Sequence, residues 1–255
     1  MSTSSPSTAS PSHAPRLDSV VITGSSSGLG LAMARRFLAE GAGVVLNGRD
    51  PAKLEAARAS LGEGARVVAL AGDVSRPETA RALVDAAVEH FGGLDVLVNN
   101  AGIFEPKPFL ESDEAFLDGL LTNNLKSTWF HTQAAVKAML ERGGGSVINI
   151  GTTLVQHGMT DLPVSAVVAA KAAIQGLTVA LAAEFAPRGI RVNTIAPGII
   201  RTPLIGEGAD QFASIHPLGR VGEPEEIAEA ALYLARNGFV TGTTLQVDGG
   251  HVHAR

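Results

Sequence analysis

Residues 23–30 read Thr23-Gly24-Ser25-Ser26-Ser27-Gly28-Leu29-Gly30, and this stretch decides the fold. It follows the short apolar run 19–23 and leads directly into an Ala/Leu/Arg-rich segment at 29–40. Glycines allow a tight strand-to-helix turn whose backbone can approach an anionic ligand closely. The N-terminus of the following helix then offers free N–H groups and the positive end of a dipole. The pattern predicts a first βα turn that binds a pyrophosphate, with a purely structural glycine-rich turn as the alternative.

Outward from this turn, short β-rich apolar runs alternate with longer segments rich in Ala, Leu, Glu and Arg. The apolar runs cover residues 19–23, 44–47, 67–71, 94–98, 146–150, 190–195 and 243–247. The helical segments cover residues 29–40, 52–61, 77–91, 113–140, 166–186 and 224–236. Such alternation predicts an α/β fold, a Rossmann-like doubly wound parallel sheet of about seven strands with helices on both faces. No linker or repeat interrupts residues 17–255, which are therefore expected to form a single domain.

Composition excludes several classes of function. The formal net charge is −5 and no basic cluster is present, which argues against nucleic acid or an anionic membrane as a partner. Because the chain has no cysteine, disulfides and thiolate sites are excluded, and we expect a cytoplasmic protein. No run of about 18 uninterrupted apolar residues exists, so no membrane span is expected. His251 and His253 have only weak metal-ligand spacing, and no metal site is predicted.

The first sixteen residues differ in composition from the rest of the chain. Residues 1–16 are mainly Ser, Thr, Pro and Ala, with one Arg and no apolar core. They match neither a secretory signal nor a transit peptide. Their composition predicts a disordered tail that precedes the domain at 17–255.

The end of the second predicted strand, Asn47-Gly48-Arg49, bears on which nucleotide is bound. A site that prefers NAD(H) places a carboxylate there to hold the ribose 2′-hydroxyl, whereas an arginine can pair with a 2′-phosphate. The acidic position is occupied by Gly48, and Arg49 follows it. Asp50 is the rival carboxylate, but just before Pro51 it is expected to cap a helix. The sequence therefore favours NADP(H) over NAD(H).

Further motifs follow the glycine loop in order along the chain. They are Asp73-Val74, Asn99-Asn100-Ala101-Gly102, Asn124, Lys171, the run Asn193-Thr194-Ile195-Ala196-Pro197-Gly198-Ile199-Ile200-Arg201-Thr202, and Val247-Asp248-Gly249-Gly250. With these motifs the chain resembles a classical short-chain dehydrogenase/reductase across residues 17–250. The resemblance implies an oxidoreductase that binds a nicotinamide cofactor and a small-molecule substrate.

The resemblance also assigns residues to the cofactor. Asp73 and Val74 would contact the adenine, and Ile200 and Thr202 would hold the nicotinamide carboxamide. The full predicted set is Gly24, Ser26, Ser27, Gly28, Leu29, Gly30, Asn47, Arg49, Asp73, Val74, Asn100, Ala101, Gly102, Lys171, Pro197, Gly198, Ile200 and Thr202. These segments follow the carboxyl ends of predicted strands, where open α/β sheets bind ligands.

The catalytic residues that the resemblance implies are only partly present. Asn124 and Lys171 match the family pattern, and Thr152 stands in the place of a substrate-orienting serine, with Thr153 as an alternative. The family's tyrosine lies four residues before the lysine, and Val167 occupies that position. Four residues make one helical turn and place both side chains on one face, so the register is well defined.

A valine cannot donate a proton, so the proton must come by another route or not be needed. His157 follows Thr152 by five residues and is the best candidate for a replacement acid, with an exposed loop histidine as its alternative. Water and Lys171 are the other candidate proton sources. We also expect the shorter Val167 side chain to leave space for a water or a larger substrate group.

These residues favour an NADP(H)-dependent oxidoreductase with an altered proton donor, acting on a carbonyl, imine or activated alkene. The expected apolar pocket walls are Phe104, Leu154, Val155, Met159, Leu204, Ile205 and Phe212. The alternatives are a catalytically silent NADP(H)-binding regulatory protein and a lyase, dehydratase or isomerase on the same scaffold. The resemblance further implies a homo-oligomer, a tetramer or dimer, with the helical segments 113–140 and 166–186 forming one interface.

Overall fold

A computed structural model describes residues 15–206 and 208–253, so that all but the last two residues of the predicted tail lie outside it. The strands are β1 (Ser19–Ile22), β2 (Gly43–Gly48), β3 (Val67–Ala71), β4 (Val96–Asn99), β5 (Gly145–Ile150), β6 (Ile190–Pro197) and β7 (Thr244–Val247). The α-helices are α1 (Gly28–Ala39), α2 (Pro51–Ala59), α3 (Pro77–Phe91), α4 (Glu114–Leu120), α5 (Ser127–Arg142), α6 (Ser165–Phe185) and α7 (Pro224–Arg236).

The strands form one parallel seven-stranded sheet in the order β3-β2-β1-β4-β5-β6-β7. Strands β1, β2 and β4 are completely buried, as expected for near-continuous apolar runs covered on both faces. One core packs the sheet against α1 and α7, and the second packs it against α3 and α5. The predicted doubly wound α/β fold and single domain are confirmed.

The strand order reverses between β1 and β4, and this topological switch positions the site. Chain segments that leave β1 and β4 diverge here, which opens a crevice at the carboxyl ends of the strands. The predicted start of α2 is also present. The Asp50 carboxylate accepts hydrogen bonds from the backbone N–H groups of Ala52 and Lys53, and Pro51 occupies the first helical position.

The long predicted helix at 113–140 is not continuous. A π-helical segment, Leu121–Lys126, separates α4 from α5. Polar side chains in and beside this segment bond to carbonyl groups one turn back, a competition with the helical bonds that distorts helices: Asn124 Nδ2 donates to Leu120 O at 3.0 Å, and Thr128 Oγ1 donates to Asn124 O at 2.8 Å. The interruption lies at Asn124, one of the predicted site residues.

Helix α6 is long and rich in apolar residues. Among the residues that the structure describes, Ser165–Arg188 is the one helical segment long and apolar enough to cross a membrane by length and composition, with a mean hydropathy of 1.7. One face of α6, with Val167, Ala170 and Ile174, is buried, and the helix packs against β6. Helix α6 therefore covers part of one face of the sheet. The opposite face includes Val179, which is 59% exposed.

Candidate active site

The glycine loop between β1 and α1 requires its glycines. Gly24 and Gly28 adopt positive φ angles of 62° and 53°, in the left-handed region that favours glycine. At Gly30 a Cβ atom would lie under 3.0 Å from the Gly24 carbonyl oxygen and 2.7 Å from Ser25 Cα. The loop therefore folds back on the first turn of α1 at a distance that only glycine permits.

The N-terminus of α1 is open to a ligand. Ser27 is the exposed N-cap residue, and its hydroxyl makes no capping hydrogen bond to the helix. Gly28, Leu29 and Gly30 form the first turn, whose backbone N–H groups have no helical carbonyl to bond. Together with the helix dipole, this arrangement favours an anionic group such as a phosphate.

Two side chains that sequence reasoning passed over hold this loop in place. Thr23 Oγ1 accepts hydrogen bonds from the backbone N–H groups of Asn100 and Ala101, each at 3.0 Å. Ser25 Oγ donates to Ile22 O at 2.8 Å and accepts from Asn47 N at 2.9 Å. Both are small hydroxyl residues within the glycine-rich motif, and their spacing alone gives no indication of these long-range bonds.

Asn47 takes a supporting position. Its side chain is 1% exposed, and its Oδ1 atom accepts from Gly24 N at 3.4 Å. Its Nδ2 atom donates to Leu70 O at 3.3 Å and to Gly72 O at 3.2 Å. Through these bonds Asn47 ties the glycine loop to the turn after β3.

The end of β2 presents one cationic side chain to solvent. Arg49 is exposed, and Gly48 beside it packs so closely on Ser26 that a Cβ atom would lie 3.2 Å from Ser26 Oγ. The exposed Asp73 accepts from Ser75 N at 2.9 Å; this bond, with the nearby charges of Arg49 and Arg76, lowers the pKa of Asp73. The neighbouring Val74 is buried.

The turn after β4 is bonded to the glycine loop across the switch point. Asn100 Nδ2 donates to Thr23 O and to Gly24 O, each at 2.9 Å. A Cβ atom on Gly24 would lie 2.9 Å from Ala101 Cα, so these two backbones are in close contact. Asn100 and Ala101 therefore form one wall of the crevice together with the glycine loop.

Gly102, Asn124 and Lys171 meet at one point. A Cβ atom on Gly102 would lie under 3.0 Å from Asn124 Oδ1 and 3.4 Å from Lys171 Nζ. Asn124 Nδ2 donates to Ile103 O at 3.2 Å, whereas the buried Oδ1 atom has no partner among the described residues. An unpartnered buried acceptor beside a cationic amine is a site for a water molecule or a ligand hydroxyl.

The pKa of Lys171 lies well below the usual value for a lysine side chain. Its Nζ atom donates to Ile150 O at 2.8 Å, which anchors the amine at the carboxyl end of β5. Burial lowers the pKa of Lys171 to about 8, because the surrounding protein disfavours the charged ammonium. An amine with this pKa exchanges protons close to neutral pH.

The two threonines after β5 have different environments. Thr153 is buried, and its hydroxyl donates to Pro197 O at 3.1 Å. Thr152 is partly exposed, and its hydroxyl accepts from Leu154 N at 3.3 Å, which leaves its proton free to be donated. Of the two, Thr152 is therefore the residue that can orient a substrate oxygen.

Val167 lies in an apolar cluster instead of beside open space. Its side chain is 1% exposed and forms a small core with Leu120 and Val164. Two of the expected pocket walls, Phe104 and Leu154, pack against this core. These apolar side chains, and not solvent, surround Val167.

His157 packs against the C-terminal segment. Its ring meets the ring of His251 edge-on, with the centroids 4.8 Å apart. Its backbone N–H donates to Thr153 O at 3.0 Å, which holds the residue in the loop after β5. No group of three or more potential metal ligands occurs among residues 15–206 and 208–253, which includes His251 and His253.

The segment after β6 completes the crevice. Gly198 N donates to Val247 O at 3.0 Å, and the buried Ile200 forms a bridge to Gly222. Thr202 Cβ lies 3.7 Å from the position that a Cβ on Gly28 would take. The segment that begins at Pro197 therefore reaches back from β6 to the glycine loop.

Comparison with known proteins identifies the family. The family profile described as Enoyl-(Acyl carrier protein) reductase matches residues 24–252. An uncharacterized oxidoreductase of Mycobacterium bovis is 41% identical over 236 residues, 90% of this chain and 95% of that protein. A 3beta-hydroxysteroid dehydrogenase of Eggerthella lenta is 42% identical over 246 residues, 91% of this chain and 92% of that protein. The crystal structure of a short-chain type dehydrogenase/reductase from Mycobacterium marinum has a TM-score of 0.86 at 33% identity and covers 92% of this chain and 95% of its own.

The chain belongs to the short-chain dehydrogenase/reductase family. It is accordingly an oxidoreductase of this type, with a nicotinamide cofactor and a small-molecule substrate. The crevice fits such a cofactor in two respects. The open N-terminus of α1 suits its phosphates, and the small space at Gly102, between Asn124 Oδ1 and Lys171 Nζ, suits a hydroxyl group.

Proposed function

We propose that the protein is an NADP(H)-dependent oxidoreductase that reduces a carbonyl, imine or activated alkene and takes the proton from Lys171. The observation that carries this proposal is the environment of Lys171, whose Nζ atom bonds to Ile150 O and whose pKa is lowered by burial to about 8. A general acid acts best when its pKa is close to the working pH. Lys171 meets this condition without a tyrosine.

The roles of this chain's residues follow from that assignment. When bound, the nicotinamide supplies the hydride. Thr152 donates its free hydroxyl proton in a hydrogen bond that orients the substrate oxygen. Reduction of a carbonyl forms a C–H bond from that hydride and an O–H bond from a proton of the Lys171 ammonium. The neutral amine then regains a proton from a water molecule. The unpartnered Asn124 Oδ1 can accept a hydrogen bond from that water molecule.

Lys171 is preferred to His157 as the proton source on geometric grounds. The His157 ring packs edge-on against His251, which commits it to the C-terminal segment. Lys171 lies next to Gly102 and Asn124 in the crevice between the glycine loop and β5. We therefore assign the altered proton donor to Lys171 and no catalytic role to His157.

The preference for NADP(H) is supported by the charges at the end of β2. Arg49 is exposed beside Gly48, where no carboxylate is present to hold a ribose 2′-hydroxyl. The rival carboxylate, Asp50, is engaged in capping α2. Arg49 is exposed to solvent and is thus available to pair with a 2′-phosphate.

Replacing Arg49 with aspartate is expected to shift the ratio of the NADPH and NADH dissociation constants toward NADH by about tenfold or more. The change removes a charge-assisted bond to the 2′-phosphate and adds a repulsive carboxylate. Fluorescence titration of each nucleotide measures the ratio. Lys53→Asp makes an equivalent change of charge on the exposed face of α2 and serves as the control. A wild-type protein that binds NADH more tightly than NADPH would refute the assignment.

The substrate is proposed to be a largely apolar carbonyl compound. Phe104 and Leu154 pack against the apolar cluster around Val167, and two other expected pocket walls, Val155 and Phe212, are partly buried. The relative from Eggerthella lenta is named for an activity on a hydroxysteroid. An apolar ring ketone is accordingly the first substrate class to test, and exclusive turnover of a polar open-chain compound would contradict the proposal.

A second candidate is a nucleotide-binding protein without turnover. It is favoured by one observation: Val167 and its apolar neighbours occupy the position at which the family places a phenol. Such a protein would bind NADPH tightly and transfer no hydride to any acceptor.

We further propose a cytoplasmic homo-oligomer, a tetramer or dimer, built through α5 and α6. Both helices expose large apolar side chains, Trp129 at 51% and Val179 at 59%. Apolar surface of this kind on neighbouring helices is typical of subunit contacts. Light scattering that gives the mass of a monomer would contradict this assignment.

A further inference from the structure

Three histidines form a cluster where three chain segments of the site meet. His157 comes from the loop after β5, His216 follows the 3₁₀ segment Ala209–Ile215, and His251 lies in the turn after β7. The His251 ring lies 4.8 Å from that of His157 and 5.8 Å from that of His216, measured between centroids. We call these residues the histidine cluster.

Within the histidine cluster, His216 bonds to two segments at once. Its Nε2 atom accepts a hydrogen bond from Ile199 N at 3.2 Å, and its Nδ1 atom lies 3.1 Å from Phe212 O. A backbone N–H can only donate and a carbonyl can only accept, so His216 is neutral with its proton on Nδ1. The ring therefore connects residues 198–202, which would hold the nicotinamide, to the segment 209–215.

The packing around His216 leaves little freedom. A Cβ atom on Gly198 would lie 2.9 Å from His216 Nε2, and one on Gly249 would lie 3.3 Å from His216 Cβ. The His216 side chain is buried, so water does not readily replace its bond to Ile199. Loss of that bond leaves the Ile199 N–H unsatisfied next to a buried ring.

We propose that His216 is a positioning residue that pins residues 198–202 to the segment 209–215, and that protonation of its imidazole releases this connection. A protonated ring carries N–H groups at both nitrogens, so Nε2 would face the Ile199 N–H donor to donor. The segment 198–202 would then lose a hydrogen bond at its first peptide. The consequence for cofactor binding rests on the proposed function, whereas the connection itself does not.

The charges that face His216 come from each packed segment. Burial lowers the pKa of His216, the bond to Phe212 raises it in part, the neighbouring His251 lowers it, and Asp248 raises it. His157 reaches the ring only through His251. Because the pKa is lowered on folding, the unfolded chain binds the proton more readily. The stability from neutral His216 is therefore present above its ordinary pKa and is lost as the pH falls below that value.

Hydrogen–deuterium exchange of the cofactor-free protein tests the connection directly. The peptides that contain Ile199 and Phe212 are followed from pH 5 to pH 8, and each rate is divided by the intrinsic rate at that pH. We expect the normalised exchange of Ile199 to rise about tenfold as the pH falls, the effect of losing one hydrogen bond. The titration is continued to lower pH until NMR signals of the His216 ring show protonation, and exchange that stays flat through that pH would overturn the proposal.

Two variants at His216 separate titration from packing. In His216→Gln the side-chain oxygen can accept from Ile199 N–H without titrating, so slow and pH-independent exchange is expected. In His216→Leu no acceptor remains, and about tenfold faster exchange is expected at every pH. The exposed His253 provides the control, since His253→Gln should retain the wild-type profile. If Ile199 in the His216→Leu variant exchanges at the wild-type rate at pH 8, His216 does not hold residues 198–202 in place.

A parallel titration with NADPH distinguishes this proposal from the proposed function. If both hold, His216→Leu binds NADPH about tenfold more weakly than wild type, and His216→Gln binds it normally at pH 8. If the chain does not bind NADPH at all, the proposed function fails, yet the exchange pattern still decides whether His216 pins the two segments.

Discussion

Replacing Lys171 with methionine is expected to lower kcat/KM for carbonyl reduction by about 10²–10⁴-fold, the contribution of a positioned general acid. Methionine has a similar length and no proton to donate. Because burial disfavours the lysine charge, its removal is expected to leave the free energy of unfolding unchanged or slightly increased. Steady-state kinetics and thermal unfolding on the same variant measure the two effects.

The pH dependence identifies the chemical role of Lys171. Only the ammonium form donates a proton, so kcat/KM for reduction should fall as the pH rises through about 8. Lys171→Arg keeps a positive charge that can bond to the cofactor but does not release its proton near neutral pH. We therefore expect this variant to bind NADPH and to turn over as slowly as Lys171→Met. Lys137→Met, at an exposed position of α5, is the control, and an arginine variant with wild-type turnover would exclude Lys171 as the donor.

The second large effect is expected at Gly30. An alanine there would bring its Cβ under 3.0 Å from Gly24 O and 2.7 Å from Ser25 Cα, and both contacts are to backbone atoms. The loop must move to relieve these short contacts. Such overpacking typically lowers the free energy of unfolding by about 1–3 kcal/mol. Because the same loop is proposed to hold the pyrophosphate, the NADPH dissociation constant should rise by about 10–100-fold.

Gly176 provides a matched control for this substitution. It lies on the exposed side of α6, and no atom lies within 4 Å of a Cβ built on it. Gly176→Ala should leave NADPH binding unchanged and raise stability by up to about 1 kcal/mol, because alanine favours the helix. Isothermal titration and thermal unfolding of the two variants should give opposite results. Equal NADPH affinity in the Gly30 and Gly176 variants would disprove the role of the loop.

Much of the fold follows from local sequence patterns. The helices Pro77–Phe91 and Pro224–Arg236 have the bounds predicted from the segments 77–91 and 224–236, which are rich in Ala, Leu, Glu and Arg. The predicted strand at 67–71 also matches β3. The break at Leu121–Lys126 was missed because it depends on side chains that bond to carbonyls one turn back. Residue spacing gives no measure of that competition.

The candidate site was less accessible from sequence, because it depends on contacts between distant segments. Asn47 stands in a cofactor motif, yet its amide is used by Gly24, Leu70 and Gly72. His216 lies in no recognised motif, although it bonds to Ile199. Burial of these side chains and their long-range partners appear only when the chain is folded.

The most direct test of the central claim is deuterium transfer from labelled NADPH to a carbonyl compound. NADPH is prepared with deuterium at either face of the transferred position, so that the result does not depend on stereochemistry. The wild-type protein and a set of ring ketones are incubated with each form, and the alcohol is analysed by mass spectrometry. We predict one deuterium on the alcohol carbon from one of the two forms, with transfer greatly slowed in Lys171→Met. Tight NADPH binding without label in any product would contradict the account and favour a nucleotide-binding protein without turnover.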